Sequence, residues 1–230
     1  MSQSRHYLDP ETNTSREIDI VASQGIYTGK TFATIRYIVE CKRSPEKPWI
    51  LFTRENKIID WEYTGWYCTT AQGWNYIIHA AIDGKFDKLP FTYHLRDRIA
   101  YGIKTAFISG EDSAYKAMHS TVRCAISYIN RAEKQKFGDS ADINIPIIVL
   151  EGKLFDASLN GNGILNVHEI KEGVVLWDTI ISGRSGLAVH IVTKEYIEDF
   201  VKHAFEMSNN LINDWKLNLD AILDEMNGYS

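Results

Sequence analysis

The chain has 230 residues, of which 44% are hydrophobic and 24% are charged, so it can bury a core, and disorder over its whole length is excluded. Its formal net charge of −5 argues against a protein that coats DNA with a basic surface, but a nuclease has an acidic active site and is compatible with it. The cysteines form no CxxC pair, and no signal peptide or membrane span is visible, so we expect a cytoplasmic protein.

The N-terminal part of the chain predicts a β-hairpin. A short strand at Arg5–Leu8 is followed by a polar turn at Asp9–Ser15 and by an alternating strand at Arg16–Ala22. The alternation is predicted to direct the two isoleucines of the second strand, Ile18 and Ile20, to one face of the sheet. Its acidic residues and its valine are then expected on the opposite face.

Two further strands are predicted before residue 54. A turn is expected around Gln24–Lys30, and Thr34–Lys42 is rich in the β-branched and aromatic residues that favour strands. Pro48 is predicted to break the chain, because proline cannot donate a hydrogen bond to a strand ladder. Trp49–Thr53 is then predicted to be a separate short strand.

The rest of the chain alternates between helix and strand patterns. Residues 54–110 are rich in aromatic side chains, which we interpret as core rather than as a platform for nucleic-acid bases, with a helix near Trp74–Ile82. Apolar residues at helical spacing predict a helix over Glu111–Lys136. Strands are expected at Ile143–Leu150, which is apolar on both faces, and at Ile164–His168, Val174–Ile180 and Leu187–Val192. Thr193 is predicted to cap a helix that runs past Met207, and the tail to Asp224 is also expected to be helical.

Asp19, Glu40 and Lys42 are the residues that carry candidate chemistry. Glu40 and Lys42 are two residues apart on one predicted strand, so their side chains share a face, and Asp19 can lie opposite them on the neighbouring strand. Two carboxylates in an apolar setting repel each other unless a cation joins them, and Mg²⁺ prefers oxygen ligands. Asp19, Glu40 and the main-chain carbonyl of Cys41 are therefore candidate metal ligands. Lys42 would hold or deprotonate a water, or neutralise charge on a phosphate.

Two simpler interpretations of these residues stay open. Lys42 can form a structural salt bridge with Glu40 or Asp19, since an aspartate and an E-x-K sequence occur together in many chains. The chain can also be an unrelated structural domain in which Asp19 does not approach Glu40.

The segments REIDIVA (16–22), IRYIVECKRS (35–44) and PWILFT (48–53) resemble the PD-(D/E)XK nuclease superfamily, which has the restriction-endonuclease-like fold. The aspartate of that pattern matches Asp19, and its E-x-K matches Glu40, Cys41 and Lys42. The resemblance implies a single α/β (α+β) domain over residues 1–230, with a central mixed β-sheet flanked by helices. Residues 5–53 would hold the diagnostic core, 54–110 an aromatic-rich insertion, and 111–230 the helix and strands that complete the sheet.

The resemblance also implies a function. Members of the superfamily bind Mg²⁺ or Mn²⁺ and hydrolyse DNA, often in restriction, repair or phage defence. Many of them begin with a helix that bears a further glutamate, whereas this chain begins inside the first strand. We therefore expect that the first helix has been lost, that the chain is a fragment, or that a partner chain supplies the helix; double-strand cleavage by one site per chain would suggest a homodimer. The alternative is a catalytically inactive nuclease-fold module that binds nucleic acid or a protein partner.

Four further residues are candidates for contacts with the substrate. Arg16 and Arg43 can contribute to a basic rim around the acidic site, although surface charge explains them equally well. Lys116 and His119 lie on the predicted helix Glu111–Lys136, which packs beside the active-site sheet in this architecture. The alternative for both residues is an ordinary solvated helix face.

Overall fold

The computed structural model of the chain describes residues 1–55, 66–85, 89, 91, 98–107, 110–134, 140–177 and 186–228. In chain order, the strands are β1 (Ser2–Leu8), β2 (Ser15–Tyr27), β3 (Phe32–Glu55), β4 (Cys68–Thr69), β5 (Arg98–Thr105), β6 (Ser140–Leu159), β7 (Leu165–Ile170), β8 (Glu172–Trp177) and β9 (Leu187–Thr193). The helices are α1 (Ala71–Ile82), α2 (Ser113–Lys134) and α3 (Ile197–Gly228), the last preceded by a 3-10 turn at Lys194–Tyr196. Within the described residues, no helix is long and apolar enough to cross a membrane.

The described strands form one mixed sheet. β1, β2 and β3 are an antiparallel meander, and β6 runs parallel to β3 on the edge of β3 that faces away from β2. β5 pairs with the C-terminal part of β3, on the same edge of β3 as β2. β5 in turn pairs with β8, β8 with β9, and β9 with β6. The expectation of a mixed sheet flanked by helices is therefore confirmed.

Each face of the sheet carries its own apolar core. α1 and α3 cover one face, where Ile35 of β3 and Ile143 of β6 are buried together with Trp215 of α3. α2 covers the other face, where Ile38 of β3 and Ile148 of β6 are buried. Side chains alternate between the two faces of a strand, so the even-numbered residues around Ile38 lie beneath α2.

The strongest helix pattern of the sequence is confirmed by α2. The apolar residues that predicted it are all almost completely buried against the sheet: Ala114, Met118, Val122, Ala125 and Ile129. The helix near Trp74–Ile82 is also confirmed, as α1, and the buried Tyr67 and Tyr76 support the core interpretation of the aromatic segment. Trp61 and Tyr63 lie outside the described residues.

The predicted break at Pro48 is wrong, because β3 is continuous from Phe32 to Glu55. Its register with β6 shifts between Ser44 and Trp49, so Pro45 and Pro48 fall in an irregular stretch that needs no ladder hydrogen bond from them. Pro146 of β6 is tolerated for a related reason. It lies between the end of the pairing with β4 at Asn144 and the start of the pairing with β9 at Ile147.

Three smaller expectations are corrected. The turn predicted around Gln24–Lys30 is shorter, because β2 extends to Tyr27 and the turn is closed by a hydrogen bond from Thr28 N–H to the Thr31 carbonyl (3.0 Å). The alternation predicted in β2 is interrupted, since Ile18 and Val21 are both buried beneath α2. Thr193 makes no side-chain cap and donates instead to the Lys171 carbonyl.

Residue 73 of α1 must be glycine because the helix lies very close to β6 at this point. The Thr70 hydroxyl caps the helix by accepting from the Gly73 N–H (3.3 Å), and the Thr69 hydroxyl donates to the Asp142 carbonyl (2.8 Å). A Cβ atom at position 73 would overlap the Thr69 hydroxyl and lie 2.7 Å from the Asp142 carbonyl oxygen.

We expect Gly73→Ala to lower the melting temperature, although alanine is favoured over glycine in helices by about 1 kcal/mol. The steric overlap with the β6 backbone outweighs that preference. Gly228→Ala, at the end of α3, is the matched control, because nothing lies within 4 Å of its added Cβ atom. Thermal unfolding in which both variants behave alike would contradict the close approach of α1 to β6.

Candidate functional site

Glu40 and Lys42 lie on the face of β3 that α2 covers. They share that face with the buried Ile38, as their even spacing along the strand requires. The Lys42 ammonium donates a hydrogen bond to Glu40 Oε1. Glu40 is 7% exposed, whereas the side chain of Lys42 is 32% exposed, so the lysine connects a buried carboxylate to the surface.

Helix α2 packs over the face of β3 that bears Glu40. The Ser120 side chain faces the Glu40 carboxyl closely enough to lower its pKa. The position of Ser120 is in turn fixed by β1, because the Tyr7 hydroxyl donates to the Ser120 carbonyl (3.1 Å). Glu40 is therefore held by Lys42 of β3 and lies beside Ser120 of α2, while Tyr7 of β1 hydrogen-bonds to that helix.

Asp19 approaches the same point from β2. The paired register of β2 with β3 ends at Ile20 and Val39, and beyond it the Asp19 carboxylate accepts the Cys41 N–H at 2.7 Å. The charge of Asp19 acts on the Glu40 carboxyl and helps to raise its pKa. The structure thus brings together the two carboxylates and the lysine that the sequence singled out.

The edge of β3 is open beside this site. β2 pairs with β3 as far as Val39, and β5 pairs with it from Trp49 onward, so no described strand covers residues 40–48 on that edge. The N–H and carbonyl of one residue leave an extended strand on the same side. The carbonyl of Cys41 is therefore directed to the open edge, where Asp19 binds its N–H.

Among Asp19, Glu40 and Lys42, Glu40 is the residue whose charged form is disfavoured by its surroundings. Burial raises the pKa of Glu40 above its ordinary value, and the Asp19 charge acts in the same direction, while Lys42 and Ser120 oppose them. Its ionised form is costly in this environment unless a cation lies close by. Lys42 supplies one positive charge, so the salt bridge that the sequence left as an alternative is present.

The residues present fit a divalent cation of the magnesium type. No described group contains three His, Cys, Asp or Glu side chains close enough to hold a metal. Mg²⁺, however, is usually bound by one or two carboxylates, with water and substrate phosphate completing the octahedron. Asp19 uses Oδ2 for the Cys41 N–H, and Oδ1 makes no hydrogen bond with the described residues, which leaves it available as a ligand.

The two arginines predicted to contact substrate are engaged elsewhere. Arg16 forms an ion pair with Asp9 (2.6 Å), and Asp9 is itself completely buried. Arg43 follows Lys42 and faces the opposite side of β3, where it lies 3.8 Å from Glu151 of β6. The structure does not bring either guanidinium to Glu40.

The two helix residues predicted to contact substrate have different positions. Lys116 is one turn before Ser120 and forms an ion pair with Glu111. His119 packs its ring against Tyr115 (4.6 Å between ring centroids) and Trp177 (5.0 Å), and burial lowers its pKa. His119 thus belongs to an aromatic cluster, while Lys116 lies in the first turn of α2.

Ser120 is the site residue that sequence reasoning missed. Its signal is a polar residue within the apolar stripe of α2, next to the buried Ala117, Thr121 and Cys124. Such a residue indicates a polar partner on the sheet below. Its pairing with Glu40 depends on the packing of α2 over β3, which is not a local property of the sequence.

Comparison of the chain with protein-family models, with curated proteins and with solved structures finds no match. The functional argument therefore rests on the residues and geometry of the chain itself.

The raised pKa of Glu40 makes a prediction about stability and pH. The folded chain keeps the Glu40 proton to a higher pH than the unfolded chain, so the wild type loses stability relative to Glu40→Gln as the pH rises from about 4.5 through the folded pKa. We expect the melting-temperature difference between the two proteins to change in that direction and then level off.

Glu169→Gln, which removes a half-exposed glutamate of β7, serves as the control for the general effect of one lost charge. A wild-type minus Glu40→Gln difference that stays constant between pH 4 and pH 8 would contradict the assigned environment of Glu40.

Proposed function

We propose that the chain is a divalent-metal-dependent nuclease that hydrolyses phosphodiester bonds of DNA, as its resemblance to the PD-(D/E)XK superfamily implies. The observation that carries the proposal is the convergence of Asp19, Glu40 and Lys42 beneath α2, beside an open strand edge. A carboxylate pair, a main-chain carbonyl and an amine in one partly exposed place are suited to a metal and a phosphate.

Each residue has a role in this proposal. Asp19, Glu40 and the Cys41 carbonyl would hold Mg²⁺ or Mn²⁺, which lowers the pKa of bound water and polarises the phosphate. Lys42 hydrogen-bonds to Glu40, and its ammonium reaches the surface, so it is placed to orient water or to stabilise charge on the phosphate oxygens. Ser120 favours the charged form of the Glu40 carboxyl by lowering its pKa.

The topology around the site supports the same proposal. An antiparallel meander of β1, β2 and β3 is followed by a parallel neighbour, β6, and α2 precedes β6 and covers the face that bears Glu40. This order of strands and helix is compatible with the fold that the resemblance implies.

A second candidate function is a nuclease-fold module that binds nucleic acid or a partner without cleaving. The observation that favours it is the Lys42–Glu40 ion pair, which already balances the buried carboxylate without a metal. The two functions differ in metal affinity, because a ligand that binds only the folded state raises the melting temperature.

We expect Mn²⁺ to stabilise the wild type by about 2.7 kcal/mol at one hundred times its dissociation constant. Asp19→Asn keeps an oxygen for the Cys41 N–H but loses the negative charge, so we expect it to lose this stabilisation. Differential scanning calorimetry with and without Mn²⁺ measures the effect. An equal Mn²⁺ shift in both proteins would exclude Asp19 as a ligand.

Cleavage itself is tested with plasmid and single-stranded DNA in Mg²⁺ or Mn²⁺. We expect Lys42→Ala to slow cleavage by about 10² or more, the usual contribution of a positioned acid, base or charge-stabilising donor. Lys153→Ala is the matched control, because Lys153 is an exposed lysine of β6 paired with Glu169. Equal rates for wild type and Lys42→Ala would remove Lys42 from the mechanism, and absence of cleavage with both metals would favour the binding module.

A further inference from the structure

A cavity of about 460 Å³ lies between β1 and the second half of α2. Its walls combine basic side chains with hydroxyl groups from these two elements. The lining residues used below are Arg5, His6, Ser127, Tyr128, Arg131 and Lys134.

Among the described lining residues of the cavity, the basic side chains Arg5, Arg131 and Lys134 outnumber the one acid, Asp9. Arg5, Arg131 and Lys134 are exposed and form no ion pair with the described residues. Asp9 is the acidic residue in the wall, and it is fully buried between Arg16 (2.6 Å) and Arg123 (3.0 Å). Three exposed cations around one cavity differ from the chain as a whole, whose formal net charge is −5.

Helix stability accounts for part of this charge but not for all of it. Arg131 and Lys134 lie in the last turn of α2, where cations interact favourably with the helix dipole. Arg5 belongs to β1 and has no such role. Cations that come from two separate elements and face one open cavity are suited to an anion with several oxygens, such as a phosphate.

The cavity and the Glu40 site lie along the same helix. Ser120 lies close enough to Glu40 to act on its pKa, and Ser127 lines the cavity seven residues later, which corresponds to about 10 Å of helix. A strand of B-DNA has one phosphate for about every 3.4 Å of axis. A strand that passes along the helix would therefore reach from one place to the other within a few nucleotides.

We propose that this cavity binds backbone phosphates of the nucleic-acid strand whose scissile phosphate lies at Asp19, Glu40 and Lys42. The proposal rests on the proposed nuclease function and specifies where the strand continues: along α2 toward its C-terminal end. Arg5, Arg131 and Lys134 hold the phosphates, and Ser127 supplies a hydroxyl donor.

The test is binding of a short fluorescein-labelled DNA strand in EDTA, so that no cleavage occurs, measured by fluorescence anisotropy over a range of salt concentrations. We expect Arg131→Glu and Lys134→Glu each to weaken binding about tenfold and to lower the salt slope by about 0.7 for each lost contact, the value for a single strand. Lys216→Glu makes the same change of charge on an exposed residue of α3, across the sheet, and we expect an effect of about twofold at most.

Equal losses in Lys134→Glu and Lys216→Glu would overturn the proposal, because they would reflect net charge alone, and so would unchanged binding in both cavity variants. A second arm uses deoxyadenosine monophosphate. If it bound as tightly as the strand and required Arg131, the cavity would be a site for free nucleotides and the strand assignment would fail.

Failure of the cavity and failure of the nuclease function give different results. Cleavage that depends on Lys42, with binding that does not depend on Arg131 or Lys134, would leave the nuclease and remove the cavity. Binding that depends on Arg131 and Lys134, without any metal-dependent cleavage, would leave the cavity as a nucleic-acid site and remove the nuclease. Thermal unfolding of each variant shows that it is folded before binding is compared.

Discussion

The parallel pairing of β3 with β6 is the constraint on which the rest of the structure depends. It buries one edge of β3 along most of its length, while β2 and β5 share the opposite edge and leave residues 40–48 uncovered there. Because both faces of the two strands are packed against helices, their side chains have little freedom. Glu40 is consequently fixed within the α2 core, directly beside the one stretch of that strand edge which no described strand occupies.

This position explains why an ionisable group in the core is compatible with folding. An isolated buried carboxylate is destabilising, and burial accordingly raises the pKa of Glu40. Lys42 and Ser120 stabilise the charged form, and the lysine side chain is partly exposed to solvent. A buried, perturbed carboxylate with a second acid close by is the arrangement expected of a functional site, although a structural ion pair can also perturb a pKa. Asp19 favours the functional interpretation, because its charge raises the energy of the ionised Glu40 instead of lowering it.

The sequence predicted what depends on local pattern and left open what depends on packing. The apolar stripe of α2, the two-sided apolar run of β6 and the shared face of Glu40 and Lys42 follow from periodicity, and the structure contains all of them. The continuity of β3 through Pro48 was not predictable, because it depends on a register shift against β6, about a hundred residues away in the chain. The contact of Ser120 with Glu40 is equally non-local. The nuclease resemblance and the roles of Asp19, Glu40 and Lys42 in catalysis stay predictions.

The most direct test of a shared cation between Asp19 and Glu40 is a crystal of the protein soaked in Mn²⁺, with anomalous diffraction recorded at the manganese absorption edge. The account predicts one anomalous peak at coordination distance from an Asp19 oxygen, a Glu40 oxygen and the Cys41 carbonyl, with the Lys42 ammonium displaced from Glu40. A map in which the Lys42–Glu40 hydrogen bond is intact and no peak lies between the two carboxylates would contradict it.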